Sequence, residues 1–269
     1  MDVLSGARAV LILLSASVIA VAAALAMQRL VHRRLKRTDF VEHNEVAAIM
    51  IAVAGSLYGV VLGFLTVVAW QHYAEARELV VAESDADIDA WHMAAGLPSE
   101  AQKRVRSDVV TYANVMIDRE WPLMRAGRFD ENAAMVSLDA IDATATLVPT
   151  NAGEANAQRA TLDQLNIVHD ARQERIAANG SGVSWFEWLV LATGAVCIAG
   201  FCCLFGVRST RVHQVMTSIV VIVMVSILVL LFELQYPFRS DVGIGPGAWE
   251  DALAHIHEMQ VGTMPNMKM

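Results

Sequence analysis

The residues that could do chemistry in this sequence lie in or beside long apolar blocks. Glu187 and Glu233 stand near the ends of two such blocks. An acid at bilayer depth is costly and often functional, although one close to the interface can reach water. The alternative for Glu233 is an inward position paired with Arg239 or with an arginine of a neighbouring copy. Gly55, Gly59 and Gly63 recur at i, i+4 and i+8, and Ala48, Ala52, Ser56 and Thr66 extend the same face. In lipid, a face of small side chains lets helix backbones approach closely; the same face, with its hydroxyls, could instead line a pore. Glu75, Glu78, Asp85 and Asp89 fall on one stripe of a helix. Like charges at these spacings repel by about 0.2–0.5 kcal/mol per pair. The expected compensation is solvation or pairing with Lys103, Arg104, Arg106, Arg172 or Arg175; the functional alternative is an acidic vestibule that concentrates cations.

Two metal readings arise. Asp85-Ala86-Asp87-Ile88-Asp89 has the alternating acids of a calcium loop, but Ala90 and Gly96 stand where that pattern needs Gly and Glu. His255, His257, Met264, Met267 and Met269 near the C-terminus offer imidazole and thioether groups suited to copper(I), with an unstructured, incidentally Met-rich end as the simpler expectation. No P-loop, G-x-S-x-G or H-E-x-x-H pattern occurs, so neither an enzyme nor a cofactor is expected. His72, His92 and His169 are scattered singly, and Cys197, Cys202 and Cys203 all sit in one apolar block, as small hydrophobes do.

The elements that position these residues follow from hydropathy. The chain is 55% hydrophobic and 18% charged, the balance of a membrane protein. The net charge of −8 argues against a nucleic-acid partner. Four runs are long enough to cross the bilayer: Val10 to Met27, Val46 to Trp70, Trp185 to Phe205 and Val212 to Phe232. The first resembles a signal peptide at Ala24-Leu25-Ala26, but it is too long and its basic residues follow rather than precede it. A retained anchor is expected.

Arg29, Arg33, Arg34, Lys36 and Arg37 fill the first connection, and Arg208 and Arg211 the third. By the positive-inside rule these loops face the cytoplasm, which puts both termini and the large polar segment on the extracytoplasmic side. Trp70, Tyr73, Trp185, Phe186 and Trp188 then form an aromatic belt at the outer interface. Asp39 and Glu42 form a capping-box signature, predicting one helix from about Phe40 to Ala95, roughly 80 Å long. Further helices are predicted from about Ser99 to Arg125, Asp130 to Leu147 and Gly153 to Ala178, with a short one from Trp249 to Met259. The expected fold is all-α: a four-span transmembrane bundle with an inserted helical soluble domain. The expected boundaries are 1–38 for the first span and basic loop, 39–70 for the second span, 71–183 for the extracytoplasmic helical domain, 184–234 for the third and fourth spans, and 235–269 for an extracytoplasmic tail.

Several stretches together carry a family resemblance. They are Tyr58-Gly59-Val60-Val61-Leu62-Gly63-Phe64, Val68-Ala69-Trp70, Ala76-Arg77-Glu78-Leu79-Val80 with Glu83, Leu97-Pro98, Glu120-Trp121-Pro122, Phe205-Gly206-Val207-Arg208 and Pro237-Phe238. With them the chain resembles bacterial bestrophin-like membrane proteins, from about Phe40 to His255. The resemblance implies a homo-oligomeric protein of the bacterial inner membrane, with the lipid bilayer and inorganic ions as partners. It points to an ion channel through a remote link to bestrophin anion channels. Those channels keep their helical domain in the cytosol, whereas the charge rule here places it outside. The competing expectations are a non-conducting scaffold or sensor whose outer domain binds a partner, and a copper-responsive protein acting through the tail.

Overall fold

The computed structural model of the chain describes residues 3–34, 44–207, 209–240 and 242–262. The predicted cap at Asp39 and Glu42, the basic residues Lys36, Arg37 and Arg208, and Met264, Met267 and Met269 lie outside them. The described helices are α1 (Val3–Arg34), α2 (Asn44–Met93), α3 (Ser99–Val115), α4 (Trp121–Arg125), α5 (Glu131–Ala145), α6 (Ala152–Gly180), α7 (Trp185–Cys203), α8 (Thr210–Leu234) and α9 (Gly247–Gly262). A 3₁₀ turn (Ala94–Gly96) follows α2, and a π-helical turn (Met116–Glu120) joins α3 to α4. No strand occurs among the described residues, so the chain is all-α, as its patterning predicts.

Among the described residues four helices are long and apolar enough to cross a membrane: Ala7–Arg34, Asn44–Gly96, Trp185–Cys203 and Thr210–Leu234. The chain divides into two compact units. One comprises Met1–Gln71 and Gly182–Gln235, the other His72–Ser181 and Tyr236–Met269.

In the first unit α1 packs against α8 and α7. Buried Ala24, Leu191, Cys203 and Val221 belong to its core. Polar side chains tie the helix ends. Asn44 donates through Nδ2 to the Gly206 carbonyl (2.9 Å) and accepts at Oδ1 from the Gly206 N–H (3.0 Å). His32 and His213 bond to the carbonyls of Cys203 and Cys202 at 3.1 and 2.8 Å. The Tyr58 hydroxyl donates to the Leu191 carbonyl at 3.1 Å. Its ring lies where a Cβ on Gly194 would collide with it, so the α2–α7 approach requires glycine there.

In the second unit the C-terminal part of α2 supplies a buried face. Ala76, Val80, Glu83, Asp87, Ala90, Trp91 and Ala94 are buried on it, at the three- and four-residue steps of a helix stripe. They meet Val105, Val109, Tyr112 and Met116 on α3 and its π turn, and Leu165 and Val168 on α6. The segment after α8, expected as a tail, enters this core: Phe238, Trp249 and Ile256 are all 1% exposed or less. Trp121 donates through Nε1 to the Ile244 carbonyl at 3.0 Å and stacks edge-on against Phe238. After α4 the chain reverses at Gly127, whose φ of 72° suits a residue without a Cβ.

Local chemistry explains the helix starts. Asp130 and Asn151 accept from the N–H groups of Asn132 and Glu154, capping α5 and α6. The α3 start falls where expected: Ser99 is the first helical residue, and Pro98 holds the cap position without a side-chain bond. The π turn answers to Pro122. Proline has no N–H and crowds the preceding turn, and here the Trp121 N–H bonds back to the Met116 carbonyl, five residues away.

Candidate functional site

The glycine face of α2 is open in the single chain. A Cβ built on Gly55, Gly59 or Gly63 would meet nothing within 4 Å. Ser56 is exposed, and Thr66 donates its hydroxyl to the Leu62 carbonyl of its own helix at 2.8 Å. Beside this face Val60 and Phe64 are 69% and 67% exposed. Among the described residues no helix of the same chain lies against the three glycines.

Further along α2, Glu75, Glu78, Asp85 and Asp89 are all exposed. The cations expected to offset them are engaged elsewhere. Lys103 pairs with Glu100 at 3.0 Å and Arg104 with Asp108 at 4.0 Å. Arg106 donates to the Trp91 carbonyl at 3.2 Å and lies over the Trp91 ring. Arg172 and Arg175 are buried in ion pairs with other acids. The reason is positional: Glu83 lies on the buried side of α2 and Glu120 is buried in the π turn, whereas the stripe lies on the exposed side of α2.

The two membrane-edge acids have different settings. Glu187 closes a capping box: its carboxylate accepts from the Ser184 N–H at 2.7 Å, and the Ser184 hydroxyl oxygen accepts from the Glu187 N–H at 3.3 Å. That local bond, rather than reach toward water alone, accounts for its position. Glu233 is buried, at 8% exposed. Arg239 donates through Nε to the Asn179 side chain at 3.2 Å and through Nη2 to the Asn179 carbonyl. His255 and His257 are exposed on α9. No group of three or more His, Cys, Asp or Glu side chains with metal-binding placement occurs among the described residues.

The densest polar arrangement lies in the second unit, at residues that spacing alone does not bring together. Glu83 on α2 and Arg175 on α6 are both 0% exposed. The guanidinium donates through Nε to Glu83 Oε2 at 2.5 Å and through Nη2 to Oε1 at 3.0 Å. The Tyr112 hydroxyl donates to the same Oε1 at 2.7 Å. Arg175 also reaches the thioether sulfurs of Met116 and Met124 and lies 5.0 Å from the centre of the Trp121 ring.

One turn along α6, Arg172 pairs with Glu120 at 3.1 Å and donates to the Asp130 carbonyl at 2.7 Å. The π turn ends at Glu120, which is fully buried and accepts the Asp130 N–H at 2.9 Å. Arg175 stands 3.8 Å from Glu120 and so bridges the two pairs. Two carboxylates thus balance two guanidiniums. Burial and the Glu83 charge push the Tyr112 hydroxyl well above its ordinary value, keeping it a donor.

Asp87 is the odd charge beside this set. It is 2% exposed, and its Oδ2 has no hydrogen-bond partner. Burial, then the Glu83 charge, holds its carboxyl well above the ordinary carboxylate range. It lines a cavity of about 10 Å³ with Asp108, Tyr112 and Ser137, and the Ser137 hydroxyl is likewise unpartnered. That is room for about one water. Asp108 is also raised, by burial first, with Arg104 opposing and Asp139 adding to the shift. The arrangement can hold a proton and a water. Its ion pairs clamp α2, the π turn and α6 together.

A family model described as the bestrophin-like domain matches residues 16–249. The chain belongs to the bestrophin-like family. It is a membrane protein, and solved structures share its fold. One described as a membrane protein has TM-score 0.68 at 14% identity, covering 90% of this chain and 98% of that one. A bacterial bestrophin homologue from Klebsiella pneumoniae has TM-score 0.65 at 15% identity, covering 92% and 99%. A point variant of that homologue has TM-score 0.66 at 14% identity, covering 91% and 98%. Comparison with curated proteins finds no match. Glu83, Glu120 and Trp121, which carry the resemblance in sequence, meet in the buried cluster of this bestrophin-like chain around Arg175.

Proposed function

We propose that the protein is a homo-oligomeric ion channel of the bacterial plasma membrane, in which the open face of α2 turns toward the shared axis. The observation that carries this reading is the unfilled space at Gly55, Gly59 and Gly63. A small-residue face in lipid is useful where another backbone or a water path lies against it, and the single chain supplies neither. Membership in the bestrophin-like family supports the same reading. Ser56 and Thr66 add hydroxyls to that face. Glu75, Glu78, Asp85 and Asp89, exposed and without cations from the neighbouring helices, would give each copy an acidic approach that concentrates cations. Cation preference follows.

The proposed topology keeps the basic ends of α1 and α8 in the cytoplasm, with the 71–183 domain, the 235–269 segment and both termini outside. Truncations fused to alkaline phosphatase test it: activity after Ala95 and none after Arg34 is expected, and the reverse pattern would invert the orientation. The functional test is recording from the purified full chain in planar bilayers under a salt gradient. Currents reversing toward the cation equilibrium potential are expected. Silent bilayers from protein that is oligomeric and folded would leave a non-conducting scaffold in its place.

A further inference from the structure

One end of α1 and the start of α8 enclose a pocket that the channel reading does not use. Its cavity, of about 240 Å³, is lined by Gln28, Arg29, His32, Arg33, Thr210 and Gln214. That is several times the ~30 Å³ share of one water, so a headgroup-sized molecule fits.

Two independent features mark it as a binding site. The first is Gln28. Its side chain is 2% exposed, yet neither its amide nitrogen nor its amide oxygen has a hydrogen-bond partner. An unpaired amide buried between apolar helices is expensive, and more so where no bulk water reaches. Gln28 therefore calls for a ligand that both accepts and donates.

The second is charge. Arg29 and Arg33 sit four residues apart at this end of α1, exposed and unpaired among the described residues. Thr210, the first residue of the 25-residue helix α8, also lines the cavity. Guanidinium groups and a helix N-terminus are the partners that phosphate oxygens prefer. No carboxylate lines the cavity. His32 is held from behind, its Nε2 bonded to the Cys203 carbonyl at 3.1 Å, which fixes the ring at the pocket wall.

We infer that this pocket binds the phosphate group of an anionic ligand that also carries a hydroxyl, either a lipid headgroup or a free phosphate. Arg29 and Arg33 hold the phosphate oxygens, and the Gln28 amide nitrogen donates to one of them. The Gln28 amide oxygen accepts from the ligand hydroxyl. The position at the end of two membrane-spanning helices makes a phosphodiester headgroup reachable without leaving the bilayer surface.

The test uses the purified full chain. Native mass spectrometry counts lipid retained after exchange into phosphatidylglycerol or phosphatidylcholine, and thermal melting is followed with and without inorganic phosphate. Arg29→Gln with Arg33→Gln removes the charge at exposed positions, where folding is not at stake. Gln28→Leu removes the buried amide. Arg34→Gln, outside the pocket, controls for a general loss of basic charge. Retention of phosphatidylglycerol over phosphatidylcholine is expected, falling about tenfold or more in the Arg29/Arg33 variant and little in Arg34→Gln. That pattern identifies a lipid source. No lipid preference, but a phosphate-dependent rise in melting temperature that the Arg29/Arg33 variant lacks, supports the same chemistry with free phosphate as the source. Equal retention of both lipids with no phosphate effect would overturn the inference, as would losses as large in Arg34→Gln.

Discussion

The Glu83–Arg175 pair offers a quantitative test of what holds the second unit together. Both side chains are fully buried, joined by two hydrogen bonds, and Glu83 takes a third from Tyr112. Glu83→Leu would leave Arg175 with Glu120 at 3.8 Å as its remaining carboxylate and the Tyr112 hydroxyl without its acceptor. Removing one partner of a buried pair costs about 3–5 kcal/mol, because the other charge stays buried and uncompensated. With about 2–4 °C per kcal/mol for a protein of this size, the melting temperature of the detergent-solubilised chain should fall by roughly 6–20 °C. Arg175→Met should do the same, stranding Glu83. The double variant removes both charges and should recover much of the loss, since apolar replacements of a whole buried pair are often neutral or better. A thermal melt followed by size-exclusion chromatography reads all four proteins. If either single variant melts like the parent, or if the double variant is as unstable as the two losses added, the two groups do not act as a compensating pair and the reasoning fails.

Three further outcomes follow from the geometry. The native carboxyl of Asp87 lies above its ordinary value of 3.8, so the folded state holds this proton more tightly than the unfolded chain. Its contribution is fully present below the unfolded value and is lost as pH rises through the raised native one; Asp87→Asn should flatten that decline in melts taken from pH 4 upward, and an unchanged profile would remove Asp87 as its source. Gly59→Leu fills open space in the single chain, so the monomer should fold. It should weaken the oligomer on size exclusion or lower conductance in bilayers, and a variant that assembles and conducts like the parent would make the glycines incidental. Glu187→Ala opens the capping box with Ser184 and should cost about 1 kcal/mol, read as a small drop in melting temperature, while currents stay unchanged if Glu187 serves only the cap.

How much of this was legible beforehand differs by element. The four spans were readable because bilayer thickness sets one length for any crossing helix, and the chain meets it four times. The helices of the polar region were readable from Pro, Gly and cap residues, to within a few positions. The part of α2 beyond residue 71 carries a further signal. Its apolar steps at Ala76, Val80, Ala90 and Ala94 continue through Glu83 and Asp87, which puts two acids on a core face. A charge on such a stripe asks for a buried partner, and Arg172 and Arg175, three apart on α6, could have been proposed. The outward stripe of Glu75, Glu78, Asp85 and Asp89 has the same helical spacing, and spacing alone does not say which of two charged stripes faces inward.

Composition and periodicity by themselves determined the fold class and the membrane character, since both follow from how each segment partitions between water and lipid, a property of the segment alone. The pairing of Glu83 with Arg175 and of Glu120 with Arg172 joins residues 92 and 52 positions apart. It depends on α6 lying against both α2 and a π turn that exists because Pro122 withholds an N–H. The entry of Phe238, Trp249 and Ile256 into the core of the second unit is of the same kind. So is the isolation of the Gln28 amide between α1 and α8, for Arg29 beside it, with Arg33 and Arg34 a turn further on, would ordinarily keep such a residue wet. Each needed the tertiary structure, because burial of a polar group is decided by what packs around it and not by its own preference for water.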